Sequence, residues 1–319
     1  MKLPPGLLDA LISSPDAQAG YLVAADWLTS AGDPWGEFIS AQCRLVGETD
    51  PSQFMALRRR AEALLEANST RWLGTGDAEV DWRWGFVERL TLHETGPLEA
   101  VLRSQVGGLL RTLSLEGGPT ALGLALERLH RLAPPRLEGL ALSGKGTVEG
   151  AVPPVRRLEC TGLSLEWARI DVEKLVELRL IEVRDAGLRG WLEGEGPTAL
   201  QHLELLELAL PLHTTQRFIE RQTSLEALHL EDDLPDDLAV WLAQSPVLSK
   251  LEHLALGGPA TDVGLDAMLR HFARFSRLKT LIVYGGRYGP TVKKWAYKQL
   301  PQLVFEARRP PSGWATRRR

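Results

Sequence analysis

A six-residue leucine frame recurs ten times along this 319-residue chain and limits the folds that the chain can adopt. Leucine or a similar apolar residue occupies the first, fourth and sixth positions of each copy. The copies are Val87–Leu92, Leu110–Leu115, Leu137–Leu142, Val155–Cys160, Leu175–Leu180, Leu200–Leu205, Leu225–Leu230, Leu251–Leu256, Leu278–Val283 and, less regularly, Leu300–Phe305. They start 18 to 27 residues apart, a period typical of proteins that stack one structural unit per repeat.

Within each copy, apolar fourth and sixth residues alternate with residues that are often polar, which predicts a short strand with one buried face. A single strand of this kind cannot bury its apolar face, whereas stacked copies form a parallel sheet over a continuous core. The intervening segments return the chain behind the sheet. Five of them are predicted as helices: Ala121–Leu132, Leu212–Gln222, Leu238–Ser245, Val263–Phe275 and Thr291–Leu300. Around Val155 the copies are 18 and 20 residues apart, so we expect irregular segments there.

From about Val87 to Arg308 the chain resembles the leucine-rich repeat family. The resemblance implies an α/β solenoid of about ten divergent repeats, with a parallel sheet on the concave side and helices or irregular segments on the convex side. Family members usually carry an asparagine three residues after the last leucine of the frame, and its side chain bonds neighbouring turns. None of the ten corresponding positions holds an asparagine here, so the turn backbone must find other partners.

Residues 1–86 have a different pattern, which predicts a small all-α module that caps the solenoid. Leu7, Leu8, Leu11 and Ile12 form one helical stripe, and similar stripes follow within 21–28 and 38–45. Another helix is predicted over Ser52–Ala67. Five of the ten tryptophans lie in this part of the chain. Such a module suits the open end of a solenoid, which otherwise exposes core residues and unpaired strand groups.

Residues 3–46, and the segment 25–45 in particular, resemble the bacterial repeat-companion domain family, small helical modules found ahead of leucine-rich repeats. The match is carried by Asp26, Trp27, Gly32, Asp33, Pro34, Gly36 and Glu37. The family implies no catalytic activity. These residues have two interpretations: Gly32 ends a helix, Asp33 and Pro34 start the next and Trp27 packs inside, or the module holds a separate ligand site.

Charge divides the chain into three parts. Residues 1–86 carry 7 basic and 12 acidic groups, the repeats at 87–307 carry 25 and 29, and the tail at 308–319 carries 5 and none. The net charge of −4 gives no general attraction to nucleic acid or anionic membrane. Two scattered cysteines, no secretory leader pattern and no long apolar run predict a cytoplasmic protein that does not cross a membrane.

The third, fifth and seventh positions of the frame project from one sheet face, which we call the odd face and predict to be concave. A partner-binding site is predicted there. Its residues are Arg157, Glu159, Glu177, Arg179, His202, Glu204, His229, His253 and Tyr284. No phosphate-binding loop, nucleophile motif or cofactor signature occurs in the sequence, so we predict a non-enzymatic scaffold for a protein partner, without a cofactor.

Two alternatives come from other features. His202, His229 and His253 lie in consecutive repeats, with Glu177 and Glu204 nearby, and imidazoles at that spacing suit a zinc ion in a metal-dependent hydrolase. No motif such as His-Glu-x-x-His supports that site. The basic tail at 308–319 suits nucleic acid, although five arginines beside a single tryptophan are a weak signal of it.

Overall fold

The computed structural model describes residues 2–76, 78–231, 235–258, 261–271, 275–286, 288–300 and 303–306. The chain divides into two compact units. The first contains residues 1–144 and 149–155, and the second contains 145–148 and 156–319. The predicted division at residue 86 stays a prediction. The basic tail at 308–319 lies outside the described residues.

The first unit combines helices with the first strands of a sheet. Its helices are α1 (Pro5–Ser13), α2 (Gln18–Ser30), α3 (Pro34–Leu45), α4 (Pro51–Leu73), α5 (Leu98–Arg103) and α6 (Pro119–Leu132). Its strands are β1 (Glu79–Arg83), β2 (Phe86–Leu92), β3 (Thr112–Glu116) and β4 (Gly139–Val148), the last of which ends in the second unit. The predicted helices at 52–67 and 121–132 correspond to α4 and α6.

The turn between α2 and α3 gives structural roles to Gly32, Asp33 and Gly36. Gly32 adopts a left-handed φ of 73° after α2, and the Asp33 side chain accepts a hydrogen bond from the Trp35 backbone amide at the start of α3, as expected of an N-cap. A Cβ atom on Gly36 would lie 2.5 Å from the Ala25 carbonyl oxygen, so glycine permits the close approach of α2 and α3. Trp27, predicted to pack inside, is only partly buried, because its position faces away from these contacts.

Trp35 is instead the buried tryptophan that joins α3 to the β1–β2 hairpin. Its Nε1 donates to the Gly85 carbonyl at 2.7 Å, and the Gly85 amide donates to Gln42 Oε1 at 2.6 Å. Gly85 has a φ of 83°, and a Cβ there would lie 2.2 Å from Ile39 Cγ1. The hairpin turn therefore requires a glycine both for its conformation and for the space beside α3.

The second unit continues the sheet with alternating strands and helices. Its strands are β5 (Arg157–Leu165), β6 (Glu177–Ile181), β7 (His202–Leu206), β8 (Ala227–Glu231), β9 (His253–Gly257), β10 (Thr280–Tyr284) and β11 (Leu303–Glu306). Its α-helices are α7 (Ala186–Glu193), α8 (Leu212–Glu220), α9 (Pro235–Gln244), α10 (Asp262–Arg270) and α11 (Pro290–Gln299). Short 3-10 helices lie at Val106–Leu109, Trp167–Arg169 and Pro246–Ser249.

In the described residues, one open sheet contains strands β1 to β11 in chain order. The β1–β2 pair is antiparallel, and the other strand pairs whose register is known are parallel. The observed registers align equal positions of the leucine frame. For example, Glu177 pairs with His202, His202 with Ala227, and Ala227 with His253. The chain thus has a mixed α/β fold consistent with a solenoid, as the frame predicted at this coarse level.

Leucines at the first, fourth and sixth positions form the core, and nearly all of them are buried. The helices predicted behind the sheet are present, although the one predicted over Val263–Phe275 ends at Arg270. Helix α7 was not predicted, because glycine and arginine interrupt its apolar pattern. Between β5 and β6 the return is short, with one 3-10 turn at Trp167–Arg169, in agreement with the spacing around Val155.

Two aspartates in helices of the second unit accept hydrogen bonds from backbone amides near the start of the following helix. Asp236 in α9 accepts hydrogen bonds from the Thr261 and Gly264 amides at 2.9 and 3.1 Å, beside the start of α10. Asp262 in α10 accepts one from the Gly289 amide at 3.1 Å, just before α11. Each carboxylate therefore satisfies amides at the beginning of the next helix, where the helix dipole also favours negative charge.

Candidate functional site

The odd face of the second unit carries all nine residues predicted as the partner site. Its third positions form the row Arg157, Glu177, His202, Ala227, His253 and Thr280, and its fifth positions form the row Glu159, Arg179, Glu204, His229, Ala255 and Ile282. Residues in a row lie on adjacent strands, about 4.8 Å apart. Charged side chains are concentrated on β5–β7 and small or apolar ones on β8–β10, so we describe these as the charged half and the apolar half.

Arg179 is the centre of the charged half. Its Nη1 lies 3.2 Å from Glu159 Oε2 on β5, and its Nε lies 3.0 Å from Glu204 Oε2 on β7. The Arg179 side chain is 15% exposed, whereas that of Glu159 is 35% exposed. One guanidinium thus bridges carboxylates on both neighbouring strands and holds three side chains in fixed positions.

Glu177 and His202 form a second pair in the next row. His202 Nδ1 lies 3.0 Å from Glu177 Oε1. Partial burial raises the pKa of Glu177, but the hydrogen bond with His202 and the positive charges nearby outweigh it, so the pKa lies below its usual value. Glu177 is therefore held as a carboxylate near neutral pH.

Tyr284 connects β10 with β8, two strands away. Its hydroxyl donates to Glu231 Oε2 at 2.8 Å and lies 2.7 Å from His229 Nε2. Because the single hydroxyl proton is directed at Glu231, His229 Nε2 is the donor in the second bond. His229 Nδ1 lies 3.4 Å from Glu204 Oε2. A continuous polar chain therefore runs from Glu159 on β5 to Tyr284 on β10.

Gly257 leaves the space that Tyr284 needs to reach β8. A Cβ on Gly257 of β9 would lie 2.2 Å from Tyr284 Cζ, which shows that the phenol ring lies across Gly257. Ala227, Ala255, Ile282 and Tyr284 form a buried cluster, with Val304 packed against it. The apolar half of the odd face is therefore shielded from solvent, unlike the charged half.

The structure brings five of the predicted site residues into one chain of contacts, and Glu177 and His202 into a pair. His229, His253 and Tyr284 are 1, 4 and 3% exposed, so they lie beneath the surface that a partner would first meet. Sequence reasoning placed Glu231 on this face without assigning it to the site. The sequence analysis did not predict that Tyr284 packs on Gly257. A glycine within a strand was the available signal, because it often marks a close approach of other atoms.

The histidines do not form the metal site that their spacing suggested as an alternative. Ala227 separates His202 from His253 in their row, and both ring nitrogens of His229 face polar side chains of the protein. Among the described residues, no group of three or more histidine, cysteine or acidic side chains is arranged to hold a metal ion. None of the described helices combines the length and apolar character that a membrane crossing requires.

The fold is similar to that of a Bacteroides fragilis protein whose crystal structure is known. The two chains share 15% sequence identity with a TM-score of 0.55, and the alignment covers 81% of this chain and 84% of that chain. At this identity the likeness concerns the fold alone. No protein-family model matches the sequence, and no curated protein matches it either.

Proposed function

We propose that this protein is a non-enzymatic scaffold that binds a protein partner on the charged half of the odd face. The observation that carries the proposal is the bridge of Arg179 between Glu159 and Glu204, whose side chains are part-exposed and already ordered. Ordered side chains lose little conformational entropy on binding, which favours affinity. Arginine is also enriched at protein interfaces, where its planar group binds carboxylates.

The proposal includes the class of repeat. We infer a leucine-rich repeat solenoid with an N-terminal repeat-companion module. The in-phase register of the leucine frame across parallel strands supports the first part. The cap, glycine turn and close helix approach around Asp33 and Gly36 support a structural role for the second. Two free, buried cysteines agree with a cytoplasmic protein, which remains our expectation.

A charge-reversal pair on β5 tests the proposal. In the full chain, Arg157→Glu with Glu159→Lys inverts two odd-face charges and keeps the net charge. Each new charge faces a like charge on β6, Glu177 opposite position 157 and Arg179 opposite position 159, so we also expect a modest loss of stability. We expect the partner captured from an extract of the source cells to be retained at least about tenfold less, because reversed charges repel a complementary surface. Capture is compared at a temperature at which circular dichroism shows that both chains are folded.

A matched control lies on the helix side of the same unit. Asp266→Lys with Arg270→Glu reverses the ion pair of α10, whose two charges are also exposed. The control should capture the partner as the unmodified chain does. Equal capture by both variants, or equal loss, would place the binding surface elsewhere than on the charged half.

A further inference from the structure

A cavity in the first unit is lined by two arginines and by apolar side chains. It measures about 260 Å³ and opens to solvent. Arg83, the last residue of β1, and Arg111, just before β3, contribute to its lining together with Tyr21, Phe86 and Leu109. We call it the arginine cavity. Charged groups beside apolar surface are typical of ligand sites, and the function proposed for the charged half makes no use of this cavity.

The carboxylate that lies closest to both arginines comes from the turn between α1 and α2. Asp16 Oδ1 is 2.9 Å from Arg83 Nη2 and 3.9 Å from Arg111 Nη1. Glu88 Oε1 is 3.8 Å from the same nitrogen of Arg111. Both distances to Arg111 Nη1 are longer than a hydrogen bond. The two carboxylates therefore attract this nitrogen without accepting a hydrogen bond from it.

The Asp16 side chain is easy to displace. It is 67% exposed, and an ion pair with so exposed a partner contributes little to stability. A different contact holds the turn, because Tyr21 Oη donates a hydrogen bond to the Pro15 carbonyl at 2.8 Å. The Asp16 carboxylate can therefore rotate toward solvent while the turn stays in place, which frees the position beside Arg83 and Arg111.

The charges around the cavity indicate which anion can take that position. One network of ion pairs joins three carboxylates to three guanidiniums: Asp16, Glu88, Glu138, Arg83, Arg111 and Arg136. When Asp16 turns away, three positive groups and two negative groups of this network remain. A single carboxylate restores the balance, whereas a doubly charged phosphate would add an uncompensated negative charge beside Glu88.

We propose that the arginine cavity binds a peptide carboxylate in place of Asp16, with an adjoining apolar side chain against Tyr21, Phe86 and Leu109. A carboxylate that is not tethered to the turn can accept hydrogen bonds from both guanidiniums, whereas Asp16 lies too far from Arg111 Nη1 to do so. The end of a chain and an acidic side chain share this chemistry.

Binding of small carboxylates to the full chain tests the site. N-acetyl-phenylalanine is titrated while the backbone amide shifts of residues 15–17, 83 and 111 are followed by NMR. We expect its dissociation constant to be at least about fivefold lower for Asp16→Ser than for the unmodified chain, because a competing carboxylate of high effective concentration is gone. Asp9→Ser removes an exposed carboxylate of α1 and is the matched control, with the affinity of the unmodified chain.

Two further probes define the ligand. N-acetyl-phenylalaninamide has no carboxylate and should bind every chain at least about tenfold more weakly, as expected for a lost charge-assisted contact. N-acetyl-aspartyl-phenylalaninamide carries its carboxylate on a side chain. Tighter binding of this probe than of N-acetyl-phenylalanine assigns the cavity to acidic side chains, and the reverse order assigns it to chain ends.

Changes of the arginines complete the test. In the Asp16→Ser background, Arg111→Gln should weaken the carboxylate probes at least about tenfold. If circular dichroism shows that this chain is unfolded, Arg83→Lys provides the same test, since lysine cannot form the planar contact. No shifts in folded Asp16→Ser, equal affinities for Asp9→Ser and Asp16→Ser, equal binding of acid and amide, or tighter binding of inorganic phosphate would each overturn the proposal. None of these results depends on the charged half.

Discussion

At the scale of single residues, the packing of the odd face depends on the glycine at position 257, which has no side chain. Tyr284 reaches His229 and Glu231 on β8 because Gly257, on the strand between, has no side chain under the ring. A methyl group in that place would force the ring to move. The two residues are therefore coupled energetically although they lie on different strands.

A double-mutant cycle measures this coupling. We expect Gly257→Ala to lower the free energy of unfolding by about 1–3 kcal/mol through overpacking. In the Tyr284→Ala background the same change should cost at least about 1 kcal/mol less, because the ring is gone. Urea denaturation of the four chains gives both values. Costs that add within about 0.5 kcal/mol would show that Tyr284 does not lie on Gly257.

The lowered pKa of Glu177 predicts a pH dependence of stability. The hydrogen bond with His202 and nearby positive charge outweigh burial, so the folded-state pKa is below the unfolded one. The stability that Glu177 contributes is then present above the unfolded pKa, about 4.3, and is lost as the pH falls through the folded value. We expect Glu177→Gln to lower the free energy of unfolding at pH 6 and to have a smaller effect at pH 3. An equal effect at both pH values would contradict this.

At the scale of elements, a side chain that follows one helix hydrogen-bonds backbone carbonyls at the end of the preceding helix. Helix α7 ends at Glu193, and its final carbonyls point toward Arg221, just after α8. The Arg221 guanidinium donates to the carbonyls of Leu192, Glu193, Gly194 and Gly196 at 2.9–3.2 Å. The cation also lies where the negative end of the α7 dipole favours positive charge.

The substitution Arg221→Lys tests whether the planar shape of the guanidinium, and not its charge alone, stabilises this contact. Lysine keeps the charge but cannot direct a planar fork at four carbonyls. We expect the free energy of unfolding to fall by about 2 kcal/mol, as for lost hydrogen bonds to a charged group. Arg217→Lys, on the exposed side of α8, is the control and should change it by less than about 0.5 kcal/mol. Equal urea midpoints for the two variants would show that the four carbonyls do not depend on the guanidinium.

At the scale of the whole molecule, each strand pairs with its neighbours in sequence, since the sheet order follows the chain order. Stability in such an arrangement is largely a sum of local terms, and a defect should weaken nearby strands most. Gln222 offers a test because it is 0% exposed and joins the segment before β7 to helix α8. Its amide donates to the carbonyls of Pro197 and Phe218 and accepts from the Leu200 amide.

Gln222→Leu should leave three buried backbone groups without this partner, at about 1–3 kcal/mol for each unsatisfied group. Hydrogen exchange should then accelerate most in β7 and β8, and less in β10 of the same unit. Gln201→Leu, at an exposed position, should leave exchange nearly unchanged. Uniform acceleration across β5 to β11 would show that this unit opens as one cooperative body rather than repeat by repeat.

Much of the fold followed from the spacing of leucines, because burial of alternate side chains constrains strand position, register and facing. The odd-face residues were assigned to the correct face for the same reason. Helix α7 was not predicted, since apolar periodicity is weak where glycine interrupts it. Helix α10 ends at Arg270, earlier than its apolar pattern predicted. Trp27 in α2 is partly buried and Trp35 in the first turn of α3 is buried, a difference that depends on tertiary packing and not on the local apolar pattern.

The sequence by itself determined the frame: which residues are core, which share the odd face, and which strands are neighbours. Only the tertiary structure decided how that face is used. It showed that charged residues on β5–β7 pair among themselves and remain partly exposed, while His229, His253 and Tyr284 are buried. The physical reason is that periodicity is a local property of the chain. Burial of a side chain depends instead on which distant segments pack above it and on the space left by small residues such as Gly257.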